Sequence, residues 1–233
     1  MNKNTFVEEL NKLNIELDDN QLNQLEKYYE LLVEYNKVMN LTGITEKNEV
    51  YLKHFYDSLT IIKVIDLKKV NNLCDIGTGA GFPGLVLKIV FPNLKVTLLD
   101  SLNKRINFLN TVIEELKLEN IETIHARAEE YAKENRNRFD VTTSRAVAHL
   151  SMLLEYAIPV TKENGYFIPL KGNMDEELKE AENALKCLNC ELEKQENFKL
   201  PIEGSTRNIL KIRKIKDNKK YPRKYSEIKK NRL

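Results

Sequence analysis

No stretch of this 233-residue chain holds the roughly 18–20 apolar residues in a row that a membrane-spanning helix needs. The first residues, MNKNTFVEELNKL, carry acidic side chains and lack the apolar core of a secretory signal. Cysteine is scarce. Cys74, Cys187 and Cys190 make no disulfide framework, and Cys187-x-x-Cys190 has no second pair of ligands near it. His54, His125 and His149 are scattered through different elements, so no metal is expected. Charged residues reach 31% and mean hydropathy is −0.48, which predicts a soluble, cytoplasmic protein, taken as a monomer. A hydrophobic content of 42% suffices for one good core with a small helical extension.

The net charge of +2 hides a division. From Lys211 onward eleven basic residues face only Asp217 and Glu227, so this tail carries +9 and the rest of the chain −7. Such asymmetry points to a partner with phosphates, although a solvated tail has the same composition. Tyr221 and Tyr225 lie within the tail and offer rings for stacking on bases.

Residues 5–66 read as helical. Leu22, Leu25, Tyr28, Tyr29, Leu32, Tyr35 and Met39 recur at helical spacing, and a second periodic stretch runs over 47–66. NLTGIT (40–45) breaks the two apart. From residue 71 strands and helices alternate. Strands are predicted at 72–77, 95–100, 121–126, 139–144 and 166–171, with helices at 82–91, 102–116, 127–135, 146–160 and 174–187. The last two extended segments, 190–200 and 207–215, have no helix between them and read as an antiparallel pair closing the sheet. The expected fold is α/β, a Rossmann-like, mostly parallel seven-stranded sheet with helices on both faces. The expected division is a helical extension over 1–66, a ligand-binding domain over 67–216 and a basic tail over 217–233.

The segment DIGTGAGFPG places Gly77, Gly79, Gly81 and Gly84 directly after the first strand, where tight turning and close approach of a ligand both favour glycine. Two ligands fit. Gly79-x-Gly81-x-x-Gly84, with Asp100 about twenty residues on at the end of the next strand, matches the dinucleotide fingerprint and its ribose-binding carboxylate. The spacing Asp75-x-Gly77-x-Gly79-x-Gly81 instead resembles the signature of class I methyltransferases, which bind S-adenosylmethionine. Asp75 favours the second ligand, because a carboxylate facing the loop suits a cationic amino-acid group and repels a pyrophosphate.

A wider resemblance extends over almost the whole chain. DIGTGAGFPG, LLDSLNKRINFL (98–109), RAEEY (127–131), FDVTTSRAVA (139–148) and LKG (170–172) closely resemble the glucose-inhibited division protein B family. NLTGIT, HFYDSL (54–59) and YPRK (221–224) fit the same pattern. Tyr35 departs from it, standing where many relatives carry tryptophan, with packing the expected consequence. The resemblance implies a bacterial methyltransferase that modifies N7 of a guanine in 16S ribosomal RNA of the small subunit. By the same resemblance Gly77, Gly79, Gly81 and Phe82 line the methionine and ribose end of the cofactor, and Asp100 holds the ribose hydroxyls. Ala128 and Glu129 frame the adenine, and Arg145 stands beside the methyl group and the target base. Arg127, Lys171 and Arg207 match positions that hold RNA or position the base.

Such a reaction asks little acid–base chemistry of the protein. Guanine N7 already presents a lone pair and loses no proton when attacked, so alignment of the reactants is the main requirement. Arg145 and Lys171, each at the C-terminal end of a strand, are the candidate catalytic cations, suited to O6 or to flanking phosphates. His54, Asp57 and Ser58 share one helical face and read as a polar cluster near the site, more often structural than functional. RNA binding is expected to weaken with added salt.

Overall fold

The computed structural model describes residues 1–145 and 148–233. The chain starts with two helices, α1 (Lys3–Lys12) and α2 (Asp19–Met39). Asp18 opens α2 with a capping box: its carboxylate accepts from the Gln21 amide, and the Gln21 side chain accepts from the Asp18 amide. Leu25, Tyr28, Leu31 and Leu32 form its buried stripe. Asn40 ends it in the left-handed conformation, φ 49°. The Asn36 side chain then accepts from the Leu41 and Thr42 amides, at 2.6 and 2.9 Å, and shapes the predicted break.

The stretch predicted as one helix over 47–66 is instead a relay of short pieces. It comprises α3 (Lys47–Val50), a π-helical segment (Tyr51–Tyr56), α4 (Asp57–Leu59) and a 3₁₀ turn (Thr60–Lys63). A wide π turn in this position changes which side chains share a face, and such turns recur at functional sites.

Seven strands follow: β1 (Asn72–Ile76), β2 (Lys95–Asp100), β3 (Ile121–His125), β4 (Phe139–Arg145), β5 (Thr161–Lys171), β6 (Cys190–Lys199) and β7 (Thr206–Lys214). They form one sheet in the order β3-β2-β1-β4-β5-β7-β6. β1 to β5 run parallel, and β7 is antiparallel to both β5 and β6. The expected terminal pair is therefore present, with β7 inserted between β5 and β6. The order reverses between β1 and β4, which opens a crevice at the carboxyl ends of those strands.

The crossover helices are α5 (Gly84–Val90), α6 (Asn103–Glu115), α7 (Ala128–Glu134) and α8 (Leu150–Ala157). Residues 146 and 147, where the helix before β5 was expected to start, lie outside the described residues. The predicted helix over 174–187 is two, α9 (Asp175–Glu180) and α10 (Glu182–Cys187), joined at the fully buried Ala181. A last helix, α11 (Tyr225–Lys230), lies in the basic tail.

One face of the sheet packs with the N-terminal helices: Leu25, Tyr28 and Leu32 share a cluster with Leu73, Leu85 and Leu98. The other face packs against α8 and the C-terminal segment through Leu153, Leu154, Phe167, Leu210 and Ile228. No helix among the described residues is long and apolar enough to cross a membrane.

Candidate functional site

The glycine loop leaves β1 at its carboxyl end. The Gly77 and Thr78 amides donate to the Leu99 carbonyl of the neighbouring strand, at 2.8 and 3.1 Å, which pins the turn to β2. Gly79 has φ +62°, and a Cβ there would meet nothing within 4 Å. Its front is open space. Gly81, at φ +106°, faces inward, where a Cβ would stand 2.6 Å from both Leu85 Cδ1 and Tyr28 Oη. One glycine thus leaves room for a ligand and the other for the protein's own packing.

A cavity of about 480 Å³ lies over this loop. Gly77, Gly79 and Phe82 line it on one side, Asp100 and Arg105 at the end of β2, and Arg127, Ala128 and Glu129 after β3. Arg145 and His54 complete it. Of the expected site residues, Asp75, Gly81, Lys171 and Arg207 are not among its lining.

Asp75 lies below the loop. Its Oδ2 accepts from Thr78 Oγ1 at 2.7 Å and from the Gly84 amide at 2.8 Å, tying the two ends of the turn together. Oδ1 has no partner among the described residues, and burial pushes the carboxyl up to about 6. The carboxylate is fully buried and does not face the cavity. The expected contrast between a cationic group and a pyrophosphate facing Asp75 is therefore not made by this geometry.

Asp100 does face the cavity. It accepts from the Gly79 amide at 3.0 Å, the Leu102 amide at 2.9 Å and Arg105 at 3.1 Å. A carboxylate has about four acceptor positions, so one remains for a ligand. Across the cavity the Glu129 carboxylate is buried and accepts from Arg127 Nε at 2.6 Å. The Arg127 guanidinium lies 4.2 Å from the ring centre of Tyr225, which the folded tail brings to the same cavity.

The opposite wall is built around Arg145. Its guanidinium donates to the Lys53 carbonyl at 2.8 Å, to Asp57 Oδ2 at 3.2 Å and to His54 Nδ1 at 2.9 Å. Arginine has no acceptor, so Nδ1 is the unprotonated nitrogen and His54 Nε2 donates to Thr42 Oγ1, 2.8 Å away. Burial, reinforced by the Arg145 charge, lowers His54 from its ordinary value to about 3 and keeps the ring neutral. The ring stacks on Phe82 with centres 4.4 Å apart, and the Arg145 guanidinium lies 5.0 Å from the Phe82 ring centre. The polar cluster expected from His54, Asp57 and Ser58 is thus partly in the site: His54 lines the cavity, while Ser58 only closes a helical turn onto the His54 carbonyl.

Arg207 reaches this wall indirectly, since its Nε donates to the other Asp57 oxygen at 3.0 Å. One carboxylate thus fixes two guanidinium groups 62 positions apart in sequence, Arg145 and Arg207. Lys171 pairs with Glu177 and donates to the Ala148 carbonyl at 2.8 Å. Glu177 also accepts from the Leu150 amide at 2.8 Å, so this lysine braces the start of α8 one step outside the cavity.

The site also uses residues that spacing did not single out. Tyr28 crosses from α2 to donate its hydroxyl to the Ala80 carbonyl inside the glycine loop. Its only sequence signal was an aromatic at a core position. Arg105, on the first turn of α6, lies within LLDSLNKRINFL, but no role was assigned to it.

The tail is folded rather than trailing. Arg136 holds the Asp217 carboxylate with two bonds of 2.7 and 2.9 Å, Arg223 pairs with the fully buried Glu155, and Ile228 is fully buried. Tyr221 packs on the core, whereas Lys216, Lys219, Lys220, Lys224, Lys229, Lys230 and Arg232 remain exposed.

Comparison with known proteins agrees with this architecture. The chain is 54% identical over 228 residues to the ribosomal RNA small subunit methyltransferase G of Bacillus velezensis, covering 96% of this chain and 95% of that one. It is 52% identical to the protein of the same name from Bacillus subtilis, with the same coverage. Among solved structures, a SAM-dependent methyltransferase from Aquifex aeolicus has the same fold, with a TM-score of 0.54 at 18% identity over 74% of this chain and 96% of that one. TYW2 of Pyrococcus horikoshii gives 0.55 at 17% identity over 67% and 61%. The sequence pattern of one family matches residues 21–209. On that match and on relatives half identical over nearly the full length, the chain belongs to the GidB family, described as rRNA small subunit methyltransferase G.

Proposed function

We propose that this chain transfers a methyl group from S-adenosylmethionine to N7 of a guanine in 16S ribosomal RNA, acting in the cytoplasm. The observation that carries the reading is one cavity at the strand-order reversal. It brings the open front of Gly79 and the Asp100 carboxylate together with the anchored Arg145 guanidinium.

The residues present fit this donor. Open space in front of Gly79, a spare acceptor position on Asp100 and the buried Glu129 carboxylate after β3 suit a ligand carrying ribose hydroxyls and an amino-substituted purine. When bound, the donor supplies a sulfonium-activated methyl group. Gly77, Gly79 and Phe82 form the rim that would hold its methionine and ribose end, and Asp100 would accept from the ribose. Ala128 and Glu129 would border the purine. Asp75 and Gly81 act from beneath, by fixing the shape of the loop.

The other wall suits a substrate that needs no base. The neutral His54 ring has its lone pair engaged by Arg145, so it takes no proton from a substrate. Attack by guanine N7 releases none. Three donated bonds leave Arg145 with two of its five N–H groups. Those two would orient the target base through O6, in a site where alignment provides most of the rate gain. Arg127 stands at the cavity edge and Arg207 is held through Asp57, so both are available to RNA near the site. Lys171 supports the wall through Glu177 and the Ala148 carbonyl. The exposed lysines of the tail provide an electrostatic footing for the RNA backbone.

The test is transfer of labelled methyl from S-adenosylmethionine to small ribosomal subunits from cells lacking this protein, with the labelled nucleoside identified. Label in 7-methylguanosine of the 16S RNA, abolished by Arg145→Ala while the donor still binds, is the expected result. Donor binding without label in RNA would remove the substrate assignment.

A further inference from the structure

Tyr225 is the one cavity-lining residue supplied by the tail among the described residues, and its position is not accidental to a loose end of chain. The segment before it is tied down twice. Arg136 grips Asp217 and donates to the Tyr221 carbonyl at 2.6 Å, and Arg223 Nε donates to both oxygens of the buried Glu155, at 3.2 and 3.0 Å. The residue three positions after it, Ile228, is fully buried in the cluster that contains Leu153 and Tyr156. Tyr225 is therefore held between two anchors. Its ring lies against the Arg127 guanidinium, whose Nε is in turn fixed by Glu129.

This corner of the cavity has the character of a site for a flat heterocycle. Ala126 and Ala128 give it small walls, Met152 an adaptable apolar surface, and Tyr225 a ring already backed by a cation. It follows β3, on the far side of Asp100 from β1, whereas the wall built from His54 and Arg145 belongs to the N-terminal elements and β4.

We propose that Tyr225 is a donor-binding residue, forming with Arg127 the wall against which the purine of S-adenosylmethionine packs, so that donor binding depends on the folded C-terminal segment. This rests on the methyltransferase reading above.

The test measures the affinity of the intact protein for S-adenosylhomocysteine by calorimetry, without any turnover. Tyr225→Ala is expected to weaken binding about tenfold, the loss typical of removing one aromatic platform from under a base. Tyr225→Phe, which keeps the ring, is expected to stay within about twofold of the unaltered protein. A second readout is trypsin cleavage after the exposed Lys224: S-adenosylhomocysteine should slow it in the unaltered protein and not in Tyr225→Ala. Unchanged affinity in Tyr225→Ala overturns the assignment, including the case in which RNA binding falls instead and the ring faces RNA. If the unaltered protein binds the donor but puts no methyl on RNA, the substrate reading fails and the role of Tyr225 stands. If it binds no donor at all, both fail.

Discussion

Replacing Asp57 by alanine takes away a carboxylate that two guanidinium groups share. Arg145 contacts Oδ2 at 3.2 Å and Arg207 contacts Oδ1 at 3.0 Å, with side-chain exposures of 13% for Arg145, 20% for Arg207 and 7% for Asp57. Burial already pulls Arg145 below its ordinary value, and Asp57 is the leading opposing influence. Without it two cations face each other in a poorly hydrated place. Breaking a buried pair by removing one partner costs about 3 kcal/mol or more. For a chain of this length that corresponds to a thermal midpoint lower by about 6–12 °C. Arg207→Ala should cost about 1 kcal/mol, because Asp57 keeps Arg145 as a partner and Arg207 is the more exposed cation. The double variant then separates mutual repulsion from simple loss of contacts. With Arg207 gone as well, one uncompensated cation remains instead of two, so the pair of changes should cost clearly less than the sum of the singles. Differential scanning calorimetry on the four proteins supplies all the quantities. A midpoint shift under about 2 °C for Asp57→Ala, or strictly additive effects, would refute the reasoning. Methyl transfer gives the functional counterpart. Arg145 in Asp57→Ala keeps only the Lys53 carbonyl and His54 as anchors, so turnover should fall more than donor affinity.

Asp75 should leave a signature in the pH dependence of stability. Its folded-state value of about 6 lies above the ordinary 3.8, so between these pH values the folded protein keeps a proton that the unfolded chain has lost. Stability from this group therefore falls as pH rises through that window, by about 3 kcal/mol in all. Asp75→Asn removes the fall, and its stability relative to the unaltered protein, followed by urea unfolding, should rise from pH 4 to pH 7; a flat difference contradicts the assignment. Gly79→Ala and Gly81→Ala should part company. The first gives a folded protein, destabilised by about 1 kcal/mol, with weaker donor binding. The second drives a Cβ to 2.6 Å from Leu85 and Tyr28 and should lose about 2 kcal/mol or more. Thermal midpoints paired with donor calorimetry distinguish them, and indistinguishable variants would show that the open space at Gly79 is not where the donor sits.

The fold was legible because its signals are local. Alternation of strand and helix from residue 71 placed β2 at the observed residues and located the antiparallel terminal pair. The insertion of β7 between β5 and β6 was not legible, because partner choice among adjacent strands leaves no trace in periodicity. Nor was the π turn at Tyr51–Tyr56, since an apolar stripe at helical spacing does not distinguish a widened turn from a regular one. In the site, Gly77, Gly79 and Asp100 could be found because each lies at a strand end or in the loop directly after one, whereas Glu129 came only from the family resemblance. Lys171 shared that placement and yet points to Glu177 and the Ala148 carbonyl, which shows that position at a strand end does not fix where a long side chain finds its partner. From sequence Tyr225 reads as a ring for stacking on bases; its approach to the cavity depends on anchors at Asp217, Arg223 and Ile228 that only the folded chain brings together.

The boundary drawn at residue 66 from the change of periodicity runs through the middle of a hydrogen-bonded group. Tyr28 holds the glycine loop from outside the sheet, while Thr42, Lys53, His54 and Asp57 together fix Arg145, whose backbone belongs to β4. A parallel sheet alone would present Arg145 at the end of a strand as a mobile side chain. The N-terminal elements convert it into an oriented donor and, by engaging the His54 lone pair, leave this wall with a charge but without a base. That combination suits a nucleophile that arrives with its lone pair free and leaves positively charged, as guanine N7 does, better than one that must first be deprotonated. The same argument sets the geometry of the encounter: the fixed cation belongs at O6 or a neighbouring phosphate, because a guanidinium held against N7 would oppose the charge that methylation creates there.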